Sequence, residues 1–138
     1  MKQKVVIIGA GGFGREVLDI FEEDNKRQER WDILGFIDDN PETHGREVRG
    51  YPVLGGVEFF SKCEAKGAKA VIAIGDNRVR KKIAEKATAY GAKFCNIIHP
   101  SVIMTPHVKL GCGVIIAAGC ILTNNITIGD HVIINLGV

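Results

Sequence analysis

Residues 98–138 carry a hydrophobic rhythm that is neither helical nor simply alternating. Every sixth residue from Ile98 is apolar: Ile98, Met104, Leu110, Ile116, Leu122, Ile128 and Ile134. The position four further on in each hexad is apolar as well: Val102, Val108, Val114, Cys120, Ile126, Val132 and Val138. The residue after each member of the first series is mostly small or polar: His99, Thr105, Gly111, Ala117, Thr123, Gly129, Asn135. A six-residue period predicts a parallel β-helix, with one flat strand and one turn per hexad and three hexads per triangular coil. Residues eighteen apart then stack, as Ile98, Ile116 and Ile134 would. Gly111, Gly113, Gly119, Asn124, Asn125 and Gly129 suit turns that need left-handed backbone. A coil of this kind exposes apolar core and strand edges at an uncapped end. The expectations are that the α/β part covers the first coil and that the pattern was built to continue past Val138.

The first part of the chain has a different pattern. Residues 4–8, "KVVII", are a β-branched run suited to a buried parallel strand. "GAGGFG" follows, and Val17, Leu18, Ile20 and Phe21 then recur at helical spacing. Residues 33–37, "ILGFI", predict a second strand, and "YPVLG" a short edge strand. Residues 57–66 read as helix and 70–75, "AVIAIG", as another strand. Asp76 is placed to cap a helix over 77–90, with Val79, Ile83 and Ala87 on one face. "AKFCNII", residues 92–98, predicts a last strand. Strands alternating with helices imply a parallel sheet with right-handed crossovers. The fold class expected is therefore a Rossmann-like α/β domain over 1–97, followed by the start of a parallel β-helix over 98–138.

Charge distribution reinforces that boundary. Beyond Asn96 only Lys109 and Asp130 are charged, histidines apart. The chain's net charge of +2 is too small to imply nucleic acid. Its 138 residues, 46% of them hydrophobic, suffice for a packed core, and no apolar run reaches the roughly 20 residues that span a bilayer. With no signal-peptide pattern at the N-terminus, a cytoplasmic protein is expected. Cys63, Cys95, Cys112 and Cys120 show neither CxxC nor Cys/His metal spacing, and are expected to be reduced and mostly packed thiols, with no metal site.

The chemistry-bearing motif is Gly9-x-Gly11-x-x-Gly14, between a strand and a helix. Gly9 permits a tight turn, Gly11 lets backbone approach a phosphate, and Gly14 lets helix and strand pack closely. Free N–H groups at the helix start then face the anion. The alternative is a glycine-rich turn that serves packing alone. Asp38 ends the second strand, where a dinucleotide fold keeps its ribose-binding acid, which leaves NAD open. Asp39 beside it can accept from ribose hydroxyls or a base N–H, or can simply build the Asp39-Asn40-Pro41 turn. "IGDNRVRKK" ends a strand at the same sheet edge, so Gly75 and Asp76 border the crevice and Arg78 is placed to meet a phosphate. Arg80, Lys81 and Lys82 read as a solvated face.

In combination, "GAGGFGREVLDI", "GFIDDN", "AIGDNRVRKKI", "NIIHPSV" and the hexads ending "IGDHVIINLGV" resemble the sugar O-acyltransferases of the sialic acid O-acetyltransferase type. Bacterial nucleotide-sugar N-acetyltransferases are among them. The resemblance covers the whole chain and implies a left-handed β-helix that assembles as a homotrimer. It implies a nucleotide-sugar, often a UDP-sugar, held by Gly9, Gly11, Gly12, Gly14, Asp38 and Asp39. It also implies acetyl-CoA as acyl donor in a groove between prisms. Phe13 stands where the family often has His, which removes a polar contact near the acceptor. Asn135 matches a position close to the reacting groups. The family's catalytic His pair follows the "IINLGV" stretch, so the expectation is a fragment with no catalytic residue of its own. His131 reads as a turn residue, His99 as structural, and His44 and His107 fit no arrangement. A nucleotide-sugar-binding module without chemistry, or an NAD-linked oxidoreductase, are the competing readings.

Overall fold

A computed structural model describes residues 1–136; Val138, the last of the apolar series, lies outside the described residues. The N-terminal part is a sheet with strand order β3-β4-β2-β1-β5. Its strands are β1 (Gln3–Ile8), β2 (Trp31–Ile37), β3 (Glu47–Val48), β4 (Tyr51–Gly55) and β5 (Lys69–Ile72). β4, β2, β1 and β5 run parallel, and β3 closes the edge antiparallel to β4. The "YPVLG" segment is thus an inner strand rather than an edge. Glu47-Val48 pairs with its outer side, a partner too short to show periodicity. Helix α1 (Gly12–Arg27) follows β1 and α2 (Asn77–Ala89) follows β5.

Each face of the sheet has its own core. Val5, Ile7, Phe36 and Val71 meet Val17, Leu18 and Phe21 of α1 on one side. Val6, Ile8, Ile37 and Ile72 meet Val57, Phe59, Phe60 and Ala87 on the other. Strand residues alternate between these two layers, which is why β1 reads as an unbroken apolar run. The link from α1 into β2 is held by polar side chains: buried Asp24 accepts from Trp31 Nε1 at 2.8 Å and pairs with Arg30. Trp31 meets Phe21 edge to face at 5.0 Å.

Two predicted elements differ. Residues 57–66 are two 3-10 turns, Val57–Ser61 and Cys63–Ala65, separated by extended Lys62. So short a segment offers few helical hydrogen bonds to repay nucleation. To the α/β sheet residues 92–98 contribute only a bridge from Phe94 to Ala70, and Ile97 and Ile98 go to a strand of the second part. Beyond the bridge, Asn96 turns the chain into the second part, with its side chain bonded to Val114 N and Gly111 O at 2.8 and 2.9 Å.

There, β6 (Ile97–Ile98), β7 (Ile103–Met104), β8 (Val108–Leu110), β9 (Ile115–Ile116), β10 (Ile121–Leu122), β11 (Ile126–Ile128) and β12 (Ile133–Ile134) form three parallel stacks. Ile98 pairs with Ile116 and Ile116 with Ile134, as a coil of three hexads requires. The core holds Val114, Ile116, Cys120, Leu122 and Ile128, with Ile98, Val102, Val108, Leu110, Ile126, Val132 and Ile134 packed on it. These are the two predicted inward series, except that Met104 is exposed. The left-handed backbone positions are Gly113, Gly119, Asn125 and His131, six residues apart; Gly111, Asn124 and Gly129 do not need it. Asp130 to Cys112 N and Ser101 to Gly119 N bridge coils across 18 residues, at 2.8 and 2.9 Å.

The α/β unit covers a side of this prism rather than its first coil. The outward residues of one stack, Ile97, Ile115 and Ile133, join the core under α1. The equivalent residues of the next stack, Ile103 and Ile121, are 62% and 58% exposed. The four cysteines are free, but only Cys95 and Cys120 are packed; Cys63 and Cys112 are exposed. Burial pushes the Cys95 thiol up to about 12, which keeps it protonated and unreactive.

Candidate functional site

The chain turns at Gly9 because φ there is +110° and the position of a Cβ lies 2.7 Å from Ala73 O. A Cβ at Gly14 would strike the carbonyl of Gly9 itself. Gly11, by contrast, has open space around its Cβ direction. It is the N-cap of α1, and no side chain caps the helix. The first-turn N–H groups of α1 are therefore left for a ligand or water, at the end of a helix that favours negative charge.

Around this loop lies a cleft of about 440 Å³, lined by Ile8, Gly9, Gly11, Gly12 and Phe13 on one side. Asp38, Asp39 and Val57 border it, with Ala73, Ile74, Val79 and Ile83 opposite. Ile8, Ile37 and the stretch after Ile72 are carboxyl ends of β1, β2 and β5. The chain moves from β1 outward to β2 and β4, then returns to β5 on the other side of β1. Open α/β sheets bind ligands at such a switch point.

The acidic pair shapes the cleft wall. Asp38 accepts from Ala10 N at 3.1 Å and Asn40 N at 2.9 Å, which straps the glycine loop to the end of β2. Asp39 accepts from Val57 N and from Lys86 Nζ, both at 3.0 Å. Burial pushes the Asp39 carboxyl up, but the Lys86 ammonium and the Val57 N–H outweigh it, so the net shift is downward. Both carboxylates retain lone pairs for a ligand.

The third segment is arranged differently from the sequence expectation. Asp76 caps α2, accepting from Arg78 N and Val79 N at 2.9 and 3.0 Å. Gly75, Asp76 and Arg78 do not line the cleft; Ile74, Val79 and Ile83 do. Helical phase is the reason: Val79 and Ile83 are four apart on the inner face, and Arg78 precedes that face. Arg80 is half-buried rather than part of a freely solvated face. Its guanidinium donates to Ile74 O at 2.9 Å and Gly75 O at 3.1 Å, and bonds Asn77, which fixes the loop after β5. Only a side chain folded back on its own helix start does this, a feature without sequence periodicity.

A second cavity, of about 240 Å³, lies between α1 and the prism. Phe13, Glu16, Asp19, Ile20 and Glu23 form one wall; His99, Ala117, Ala118, Asn135 and Leu136 form the other. Phe13 lines both cavities, so they adjoin at the glycine loop. Asn135 belongs to this second space and not to the cleft. His131 lies elsewhere, with left-handed φ of 58° and its ring edge-on to Phe94 at 4.5 Å. Its Nδ1 is buried without a partner, and burial lowers its proton affinity. It is a packing residue in a turn. No group of three or more metal-ligating side chains occurs among the described residues. No helix there is long and apolar enough to cross a membrane.

Comparison with known proteins agrees with this architecture. Over 89% of its length the chain is 30% identical to GDP-perosamine N-acetyltransferase of Escherichia coli O157:H7, and it spans 55% of that protein. A point mutant of perosamine N-acetyltransferase from Caulobacter crescentus, solved with CoA and GDP-perosamine, matches with TM-score 0.83 and 35% identity. That match covers 97% of this chain and 60% of the other. The acetyltransferase domain of PglB from Neisseria gonorrhoeae, solved with acetyl coenzyme A, matches with TM-score 0.82 and 27% identity. It covers 99% of this chain and 63% of that one. The glycine loop, the acidic pair, α1 and all but the last two residues of α2 fall within residues 4–87, which match the PglD N-terminal domain model, and the chain belongs to that family.

Proposed function

We propose that the α/β domain holds a nucleotide-sugar and that the chain serves acetyl transfer from acetyl-CoA to that sugar. One observation carries the reading. An anion-ready glycine loop opens onto a cleft, and Phe13 joins the cleft to a second cavity that ends at Asn135 on the prism. A nucleotide diphosphate fits the first space, with its phosphates at Gly11 and Gly12; the glycosyl group then passes Phe13 toward the prism. Asp38, Asp39 and Val57 lie where ribose and base would contact protein. Gly14 keeps the loop in shape, whereas Gly9 both makes the turn and lines the cleft.

In the reaction, a sugar amine or hydroxyl attacks the thioester carbonyl, a base removes its proton, and the CoA thiolate leaves. Acetyl-CoA supplies the activated acetyl group; this chain's residues bind and orient the acceptor. No general base is assigned among the described residues. The relatives named for GDP-perosamine support an amine acceptor and a GDP-sugar over the sialic acid O-acetylation and UDP-sugar of the sequence resemblance. The exposed stripe of Ile103 and Ile121 supports assembly through the prism, with a homotrimer as its form.

Thermal unfolding with GDP-perosamine, UDP-N-acetylglucosamine, NAD and acetyl-CoA tests the reading. Stabilisation by one of the nucleotide-sugars, and not by NAD, is expected. Stabilisation by NAD alone would overturn it. Stabilisation by a nucleotide-sugar without any effect of acetyl-CoA would leave a binding module.

A further inference from the structure

Resting on that reading, we propose that His99 is a ligand-contacting residue. It presents Nε2–H as a fixed donor to an oxygen of the glycosyl group in the cavity between α1 and the prism. The tautomer follows from backbone geometry. Ser101 N lies 3.0 Å from His99 Nδ1, and a backbone amide can only donate. Nδ1 is therefore the acceptor, and in the neutral ring the proton is on Nε2. Ser101 Oγ, 2.8 Å from the same Nδ1, accepts from Gly119 N at 2.9 Å, so the ring is tied to the next coil. The backbone is held too: His99 N donates to Ile116 O at 2.9 Å.

Nδ1 is thus occupied and the ring cannot turn over without breaking these bonds. Among the described residues the hydrogen bonds of the His99 ring are those at Nδ1, and Nε2 makes none. The half-buried ring lines the cavity on the wall that carries Ala117 and Asn135, opposite Phe13, Glu16, Asp19, Ile20 and Glu23 of α1, and it also borders a neighbouring cavity at Arg27 and Trp31. In a space whose other polar groups are the acceptors Glu16, Asp19 and Glu23 and the amide of Asn135, a preset donor contributes orientation as well as affinity. Because Nδ1 is already engaged by an N–H donor, the residue acts as a donor and not as the base of the reaction.

The structural role and the contact role separate by substitution. His99→Asn keeps an acceptor for the N–H two residues on, the Asx-turn arrangement, and removes the donor. His99→Gln carries an N–H donor out to the region of Nε2 and gives up the turn bond. Calorimetric titration would use GDP-perosamine against GDP, and UDP-N-acetylglucosamine against UDP, on the intact chain. His99→Asn is expected to weaken binding of the nucleotide-sugar about fivefold or more, leave the nucleoside diphosphate unchanged, and keep the melting temperature. His99→Gln is expected to recover part of the sugar affinity at a lower melting temperature. Equal weakening of sugar and diphosphate by His99→Asn, or no change in either, overturns the assignment. If the wild-type chain binds sugar and diphosphate equally, His99 has no glycosyl contact and the nucleotide cleft stands. If it binds neither, the nucleotide-sugar reading itself fails and this one with it.

Discussion

Gly11 and Gly14, three residues apart in one motif, do opposite work. Gly14 is required by the fold, because any Cβ there meets the carbonyl of Gly9. Gly14→Ala should cost about 1–3 kcal/mol by forcing helix and loop apart, read as a lower midpoint in denaturant. His131 gives a pH test. Its folded-state proton affinity lies below the ordinary value, first through burial and further through Arg80, with Asp130 opposing. The unfolded chain therefore binds the extra proton more readily, so the stability tied to this group is complete above the ordinary histidine value of 6.5 and declines as pH falls below it. Between pH 7.5 and 5.5 a His131→Gln protein should lose less stability than wild type; an equal loss would mean the ring titrates freely. The position was legible in one respect. Gly113, Gly119 and Asn125 are left-handed six residues apart, and one more step lands on His131. Its contact with Phe94 was not, because that contact joins two parts of the chain with no shared period.

Elements were legible where a period repeats and illegible where a single side chain decides. The inward series of the prism could be written from spacing alone, since a six-residue repeat admits few other solutions. α2 was marked by Asp76, and loss of this cap in Asp76→Ala should cost about 1 kcal/mol, measured by chemical denaturation. The apolar run at 92–98 was misleading, because a run of that length serves a sheet or a coil equally. Asn96 decides between them by satisfying Val114 N and Gly111 O. Asn96→Ala leaves both groups without a protein partner, and a loss of about 2–4 kcal/mol is expected on that account. Hydrogen exchange should then be fastest at Val114 if the side chain is what holds the first coil to the second.

At the scale of the molecule, the packed junction is what gives the two cavities a common wall. Ile97 and Ile115 are buried under α1 and Ile133 packs half-buried beside them, so Phe13 and Asn135 are held across one space by a shared core. The sequence divided the chain by charge and period, and the glycine motif indicated the cleft. It could not indicate the second cavity, which exists only because one outward face of the prism packs on α1. A nucleotide-sugar in the cleft requires that the glycine loop receive its phosphates. Calorimetric titration of GDP-perosamine and UDP-N-acetylglucosamine into wild type and Gly11→Asp tests it most directly. Asp is a favourable N-cap and meets open space at this position, so the variant should fold at least as stably as wild type. Its carboxylate would occupy the site of the phosphates and repel them, and the account predicts at least tenfold weaker binding. A Gly11→Asp protein that binds the same nucleotide-sugar as tightly as wild type would contradict it.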